Sequence, residues 1–290
     1  YIQLFKSIPY SNIIQYAPEI SSIYNRVSEH ANRDSSFYLE TLRIKSLLTY
    51  QQRDYTQAIE DFNMFFKLFQ LLYKNDTSYA FEYSKYALCY RMLNQKDLFL
   101  STINKGISNT QKKVFKNNDL AIFYIELGAF YSSERRLDTA RITLDLALDY
   151  VNSANTRDYY LTSQSYRRKA FLELLSNNTE IAITLYEKSM EALLKSEHTN
   201  IEIATLYKNK ATALLSSDQF VEAIKQYKMA LHIYRNEFGE KHPSLASIYT
   251  YLGLCYLHLG DNENAILNYK ESLEIDPSFK NFLSIRNLAD

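Results

Sequence analysis

Small residues return along this chain at an almost constant interval. Ser46, Ala87, Gly128, Ala170, Ala211 and Gly253 stand 41 or 42 residues apart, and a second series follows twelve positions behind at Ala58, Ala140, Ala182, Ala223 and Ala265, with Phe99 as its bulky exception. Two registers locked over six cycles restrict the fold to a stack of similar supersecondary units, since a unit of this size buries its apolar face only against its neighbours. Such a stack offers an extended binding surface more readily than it houses chemistry. Its core grows one interface at a time, so the 290 residues are read as one continuous domain.

The last cycle shows the unit most clearly. Tyr249, Leu252, Gly253 and Tyr256 recur three or four apart and make one apolar helix face, as do Ala265, Tyr269, Ser272 and Leu273 in the following segment. Gly260-Asp261 supplies the turn between the two helices and Pro277 ends the second. Gly128 is expected to meet Ala140 where paired helices cross, and Gly253 to meet Ala265, because a bulky side chain there would force the helices apart.

This pattern of an aromatic residue, Leu-Gly and Tyr in one helix and Ala, aromatic, Ala and Pro in the next resembles the tetratricopeptide repeat. It is carried by Leu127-Gly128, Tyr131, Ala140 and Ala147, and again by Tyr207, Ala211, Ala223, Tyr227 and Ala230; Tyr83, Tyr124, Tyr166, Tyr207 and Tyr249 hold one family position, with Leu42 in the first cycle. The cycle over 83–106 departs from it, with Phe99 and Gly106 where Ala is expected. The resemblance implies an all-α fold, a right-handed superhelical stack of antiparallel helix pairs. Six such repeats are expected over 37–279. Residues 1–36 are expected to form an N-terminal helical cap or truncated repeat, with Ile13, Ala17, Ser21 and Tyr24 on its inner face, and 280–290 a capping helix or the start of a further repeat. The period exceeds the family's usual 34 residues, as in kinesin light chain, whose Gly-x-x-His-Pro junction is similar to Gly239-Glu-Lys-His-Pro243, and in the peptide-pheromone receptors of Gram-positive bacteria.

Thirty-three basic residues balance thirty-three acidic ones, which removes the electrostatic footprint of a protein whose main partner is nucleic acid or an anionic membrane. No apolar run reaches the roughly 18 residues of a membrane span and no signal peptide is visible. Cys89 and Cys255 fall on packing faces, too far apart to pair, and suit a reducing, cytoplasmic setting. The five histidines show no metal-ligand spacing, and no phosphate loop or nucleophile elbow exists among five glycines. No cofactor, metal or catalytic role is expected. The chain starts at Tyr1 without Met and is expected to be a piece of a longer protein.

The resemblance also implies which residues face the concave groove. They are Gln164, Arg167, Arg168, Phe171, Leu174 and Leu175 in the fourth cycle, Thr205, Lys208, Asn209, Thr212, Leu215 and Ser216 in the fifth, and Tyr251, Leu254 and His258 in the sixth, bordered by Glu126 and Ser132 of the third. Arg forks grip carboxylates and Asn pairs with peptide backbone, so the peptide-binding set is expected to be Gln164, Arg167, Arg168, Phe171, Thr205, Lys208, Asn209, Thr212, Tyr251 and His258. Against the chaperone-tail clamp of the family, Arg167 stands for its first Lys and Asn209 matches its middle Asn, while Phe171, Ser247 and Tyr251 fill the other clamp positions. The expected function is a noncatalytic scaffold that holds a protein or extended peptide, acidic or with a free carboxylate. The alternative is a peptide-gated regulator whose output domain lies outside this chain.

Overall fold

The computed structural model describes residues 10–30, 36–73, 79–112, 116–196 and 199–279; the expected segment 280–290 and His198 lie outside them. Among the described residues there are thirteen α-helices and no strand. A 3-10 turn, Tyr10–Tyr16, leads into α1 (Ala17–His30). Six helix pairs follow: α2 (Ser36–Gln51) with α3 (Tyr55–Leu72), α4 (Ala80–Met92) with α5 (Lys96–Thr110), α6 (Asn117–Ser133) with α7 (Leu137–Asn152), α8 (Tyr159–Leu175) with α9 (Thr179–Leu193), α10 (Asn200–Ser216) with α11 (Phe220–Phe238), and α12 (Pro243–His258) with α13 (Asn262–Ile275). The residues fall into two compact units. One runs to Leu127 and includes Ser153–Asn155; the other comprises Gly128–Asn152 and the residues from Thr156 onward.

Each pair turns through the same few residues. Arg53, Asn94, Arg135, Asn177, Asp218 and Gly260 all have φ between 58° and 76°, and the residue after each returns a backbone hydrogen bond five residues back, as in Asp54 N–H to Thr49 O at 3.1 Å and Asp261 N–H to Tyr256 O at 2.9 Å. This left-handed cap satisfies the final carbonyls of the first helix and reverses the chain within three residues, so the second helix runs back along the first. Five of the six positions are not glycine. The following helix starts on a side-chain cap where Asp54 accepts from Gln57 N–H and Asp261 from Asn264 N–H, both at 3.1 Å. Pro243 opens α12 as the sequence requires, with His242 as its cap, and α13 stops at Ile275, two residues before Pro277.

Every member of both small-residue series is buried, including Ser46, Phe99 and Gly253. Their contacts refine the expectation about paired small residues. A side chain on Gly128 would begin 2.4 Å from Cγ of Leu144, and one on Gly253 would begin 2.7 Å from the ring of Tyr269. The small residue therefore makes room for a large side chain one turn beyond Ala140 or Ala265. That position forms a third buried series in the same register: Phe62, Ile103, Leu144, Tyr186, Tyr227 and Tyr269. Gly106, the departure from pattern in the second cycle, is small because the ring of Phe123 lies 2.6 Å from where its side chain would start.

Of the residues expected on the inner face of the first segment, Ile13 is buried, Ala17 and Tyr24 are half-buried and Ser21 is exposed; Ile20, beside Ser21, and Val27 are the buried positions of α1 itself. Two buried carboxylates inside the first unit are matched to cations. Asp61, fully buried, receives Lys45 at 2.9 Å and Thr49 at 3.1 Å, and Arg43 bridges Glu40 at 2.9 Å and buried Glu82 at 3.0 Å.

Candidate functional site

All ten sequence-predicted site residues lie in the second unit, on α8, α10 and α12, the first helices of three successive pairs. These helices neighbour one another directly, α8 beside α10 and α10 beside α12. On α8, Gln164, Arg167, Arg168 and Phe171 follow the three- and four-residue spacing of one helix face, and Thr205, Lys208, Asn209 and Thr212 do the same on α10.

The structure draws part of this set into a basic cluster. Arg167 donates to Gln164 Oε1 and acts electrostatically on Lys208, whose pKa is lowered first by burial and then by that like charge. The cluster is backed by two tyrosines from second helices. Burial pushes the phenol of Tyr186 up to about 12 against the opposing pull of Arg167 and Arg168, and Tyr234 is raised by burial against its hydrogen bond with Thr205 and the pull of Arg167. Arg168 and Lys208 are half-buried, with no ion pair among the described residues, and Arg168 Nε is buried without a hydrogen-bond partner. The adjacent cations behave differently: Lys169 pairs with Asp145, and Lys210 pairs with Glu187 at 2.7 Å. Along the same two helices, cations with an internal counter-charge thus alternate with two that have none among the described residues.

The remaining predicted residues split into smaller groups. The Thr205 and Tyr234 hydroxyls lie 2.8 Å apart; those of Thr212 and Tyr227 lie 3.0 Å apart, and Tyr227 stacks on Tyr251 with ring centroids at 5.7 Å. These hydroxyls and rings stiffen the wall and are already engaged. His258 stacks on Phe220 at 4.6 Å, and Phe171 stands 46% exposed one turn beyond Arg167 and Arg168. Asn209 is half-buried beside Lys208 in sequence. Glu126 and Ser132, expected to border the groove, are instead buried, with the Ser132 hydroxyl bonded back to Gly128 O at 2.7 Å. Ser132 belongs to the packing side of α6, one turn after the small position that receives Leu144.

Sequence reasoning missed Tyr186 and Tyr234, which lie on second helices. Their signal was present in one case: Tyr186 occupies the third periodic series together with Tyr227 and Tyr269. Among the described residues no group of His, Cys, Asp and Glu could hold a metal ion, and no helix is long and apolar enough to cross a membrane.

Residues 202–278 match the family model described as tetratricopeptide repeat. Heat shock protein STI1 of Saccharomyces cerevisiae is 29% identical over 120 residues, 41% of this chain and 18% of that protein. The Hsp70-Hsp90 organizing protein of Triticum aestivum is 25% identical over 125 residues, 43% of this chain and 20% of its own length. The chain thus spans about a fifth of the curated relatives it matches. Among solved structures, the APC/C hetero-tetramer Cut9-Hcn1 aligns with a TM-score of 0.73 at 14% identity, covering 94% of this chain and 46% of that one. The segment 202–278 is thus similar to the tetratricopeptide repeat, and helix pairs of the same build recur through the described residues.

Proposed function

We propose that this chain is a noncatalytic scaffold that holds an extended, carboxylate-bearing peptide of a protein partner along α8 and α10. The observation that carries this reading is the pair Arg168 and Lys208, half-buried cations without internal counter-charge. Partial burial lowers the local dielectric and strengthens any ion pair formed there, and Lys208 is already disfavoured as a cation by its surroundings, so an arriving carboxylate relieves a repulsion as well as making a bond. Arg167, oriented by Gln164, adds a second fork, Asn209 offers an amide to the peptide backbone, and exposed Phe171 provides an apolar contact. Thr205, Thr212, Tyr251 and His258 extend the wall along the peptide.

The relatives include a protein named for organising Hsp70 and Hsp90. Phe171, Ser247 and Tyr251 replace cationic or amide groups at the clamp positions of chaperone-binding repeats. The preferred ligand is therefore an acidic peptide with an apolar residue for Phe171, and a chaperone-tail peptide serves as a comparison ligand.

Fluorescence anisotropy with labelled acidic and neutral peptides of otherwise equal sequence tests this reading. Arg168→Glu should weaken the acidic peptide at least about tenfold, ~1.4 kcal/mol, and leave the neutral one unchanged. Wild-type binding should weaken as salt shortens the screening length to about 8 Å at physiological ionic strength. Equal affinity of wild type and variant for the acidic peptide would sink the site.

A further inference from the structure

A second surface lies on the other side of α10. Ile203 and Tyr207, roughly opposite Lys208 and Thr212 at about 100° per residue, join a row of α11 side chains from Val221 to Ile233 around a groove of about 660 Å³. Its row on α11 is about 18 Å long, three helical turns. Val221 is 62% exposed and Met229 38% exposed, while Ile224 closes the floor between them. The charged residues that line this groove are Lys225 and Lys228, joined by His232, and no carboxylate lines it. Lys225 is exposed and makes no ion pair among the described residues; Lys228 lies over the Tyr256 ring at 5.6 Å, and His232 meets Asn236 at 3.2 Å.

We infer that this groove is a second docking surface, for an acidic amphipathic helix of a partner protein, independent of the peptide site on α8 and α10. Charge complementarity selects the sign: a cationic border around an apolar floor favours a helix whose leucine-like stripe lies on Ile224 and Met229 with carboxylates on its flank toward Lys225 and Lys228. Backbone chemistry selects the helix. An extended chain would lay its N–H and C=O groups over side chains that offer few partners, whereas a helix satisfies those groups internally and presents only side chains to the floor. The length agrees, since a helix of about 12 residues spans roughly 18 Å.

The test uses a capped synthetic peptide of about 12 residues, with Leu at helical three- and four-residue spacing and Glu on the flanks. Its Lys-for-Glu counterpart, a version broken by a central Pro, and a single-stranded oligonucleotide are compared with it against the whole chain. The acidic helix should bind with a gain of helicity by circular dichroism. Lys225→Glu/Lys228→Glu and Val221→Glu/Met229→Glu should each weaken it at least about tenfold, and Arg168→Glu should leave it unchanged. All substituted groove residues are solvent-exposed, and retention of the wild-type far-UV spectrum and melting temperature checks the fold. The inference is overturned by absence of binding at millimolar peptide, by equal binding of the Lys or Pro version, by tighter binding of the oligonucleotide, or by loss of binding in Arg168→Glu with the groove variants unaffected.

Discussion

Gly128→Ala is a sharp test of how the helix pairs are held together, because two effects of opposite sign compete. In an open helix interior, replacing Gly with Ala stabilises by about 0.5–1 kcal/mol through the lost freedom of the unfolded chain. Here the added carbon would start 2.4 Å from both Cγ and Cδ2 of Leu144, against an ordinary carbon contact of about 3.5–4.0 Å. Leu144 is fully buried, and its Cγ is one bond from Cβ, so no terminal rotation moves it out of the way. The helix turn that carries it must retreat by more than ~1 Å. Overpacking of this kind costs about 1–3 kcal/mol, leaving a net loss of up to ~2.5 kcal/mol after the propensity gain. Urea unfolding followed by far-UV circular dichroism measures the change, with hydrogen exchange of α7 amides as the local readout. Leu144→Ala alone should cost about 2–5 kcal/mol, and adding Gly128→Ala to it should cost less than in the wild type, because the cavity accepts the new methyl. A Gly128→Ala protein more stable than wild type by ~1 kcal/mol, or strict additivity in the double variant, would refute the close approach.

The left-handed turns predict the opposite response at Arg53 and Arg135. Glycine at either should raise the unfolding free energy by up to ~1 kcal/mol, seen as a higher urea midpoint, since a non-glycine residue there carries about 1–2 kcal/mol of steric strain, while Asn94, Asn177 and Asp218 should gain less; no gain at Arg135 would contradict the turn geometry. Cys89 and Cys255 are fully buried, and burial raises each thiol to about 12, so native-state labelling near neutral pH should be slow and become complete in denaturant; rapid native labelling of both would show the helix faces to be misassigned. Burial raises Glu82 above its ordinary value near 4.5 despite the opposing Arg43. Its contribution to stability is therefore fully present below that ordinary value and lost as pH rises through the folded one. Glu82→Gln should flatten the stability profile over that interval, and an unchanged pH dependence would dismiss Glu82 as its source.

The period in the sequence determined the helix pairs, and the reason is steric. A position that must be small in every copy, such as Ala170 or Ala211, shows up as repetition whatever surrounds it, and all members of both small series are buried. The turns were legible only at Gly260, because left-handed residues such as Arg53 and Arg135 are held by the hydrogen bonds of the cap and not by their own preference. Which residues fill the space beside Gly128 and Gly253 was also hidden, since Leu144 and Tyr269 look like any core residue until the crossing geometry places them. For the candidate site, the resemblance to the repeat family together with residue type nominated Arg167, Arg168, Lys208 and Asn209. Only tertiary structure distinguishes Arg168 and Lys208 from Lys169 and Lys210, cations on the same helices that meet Asp145 and Glu187. Charge pairing between helices depends on where a partner some twenty residues away is brought in space, and a one-dimensional pattern carries no record of that distance.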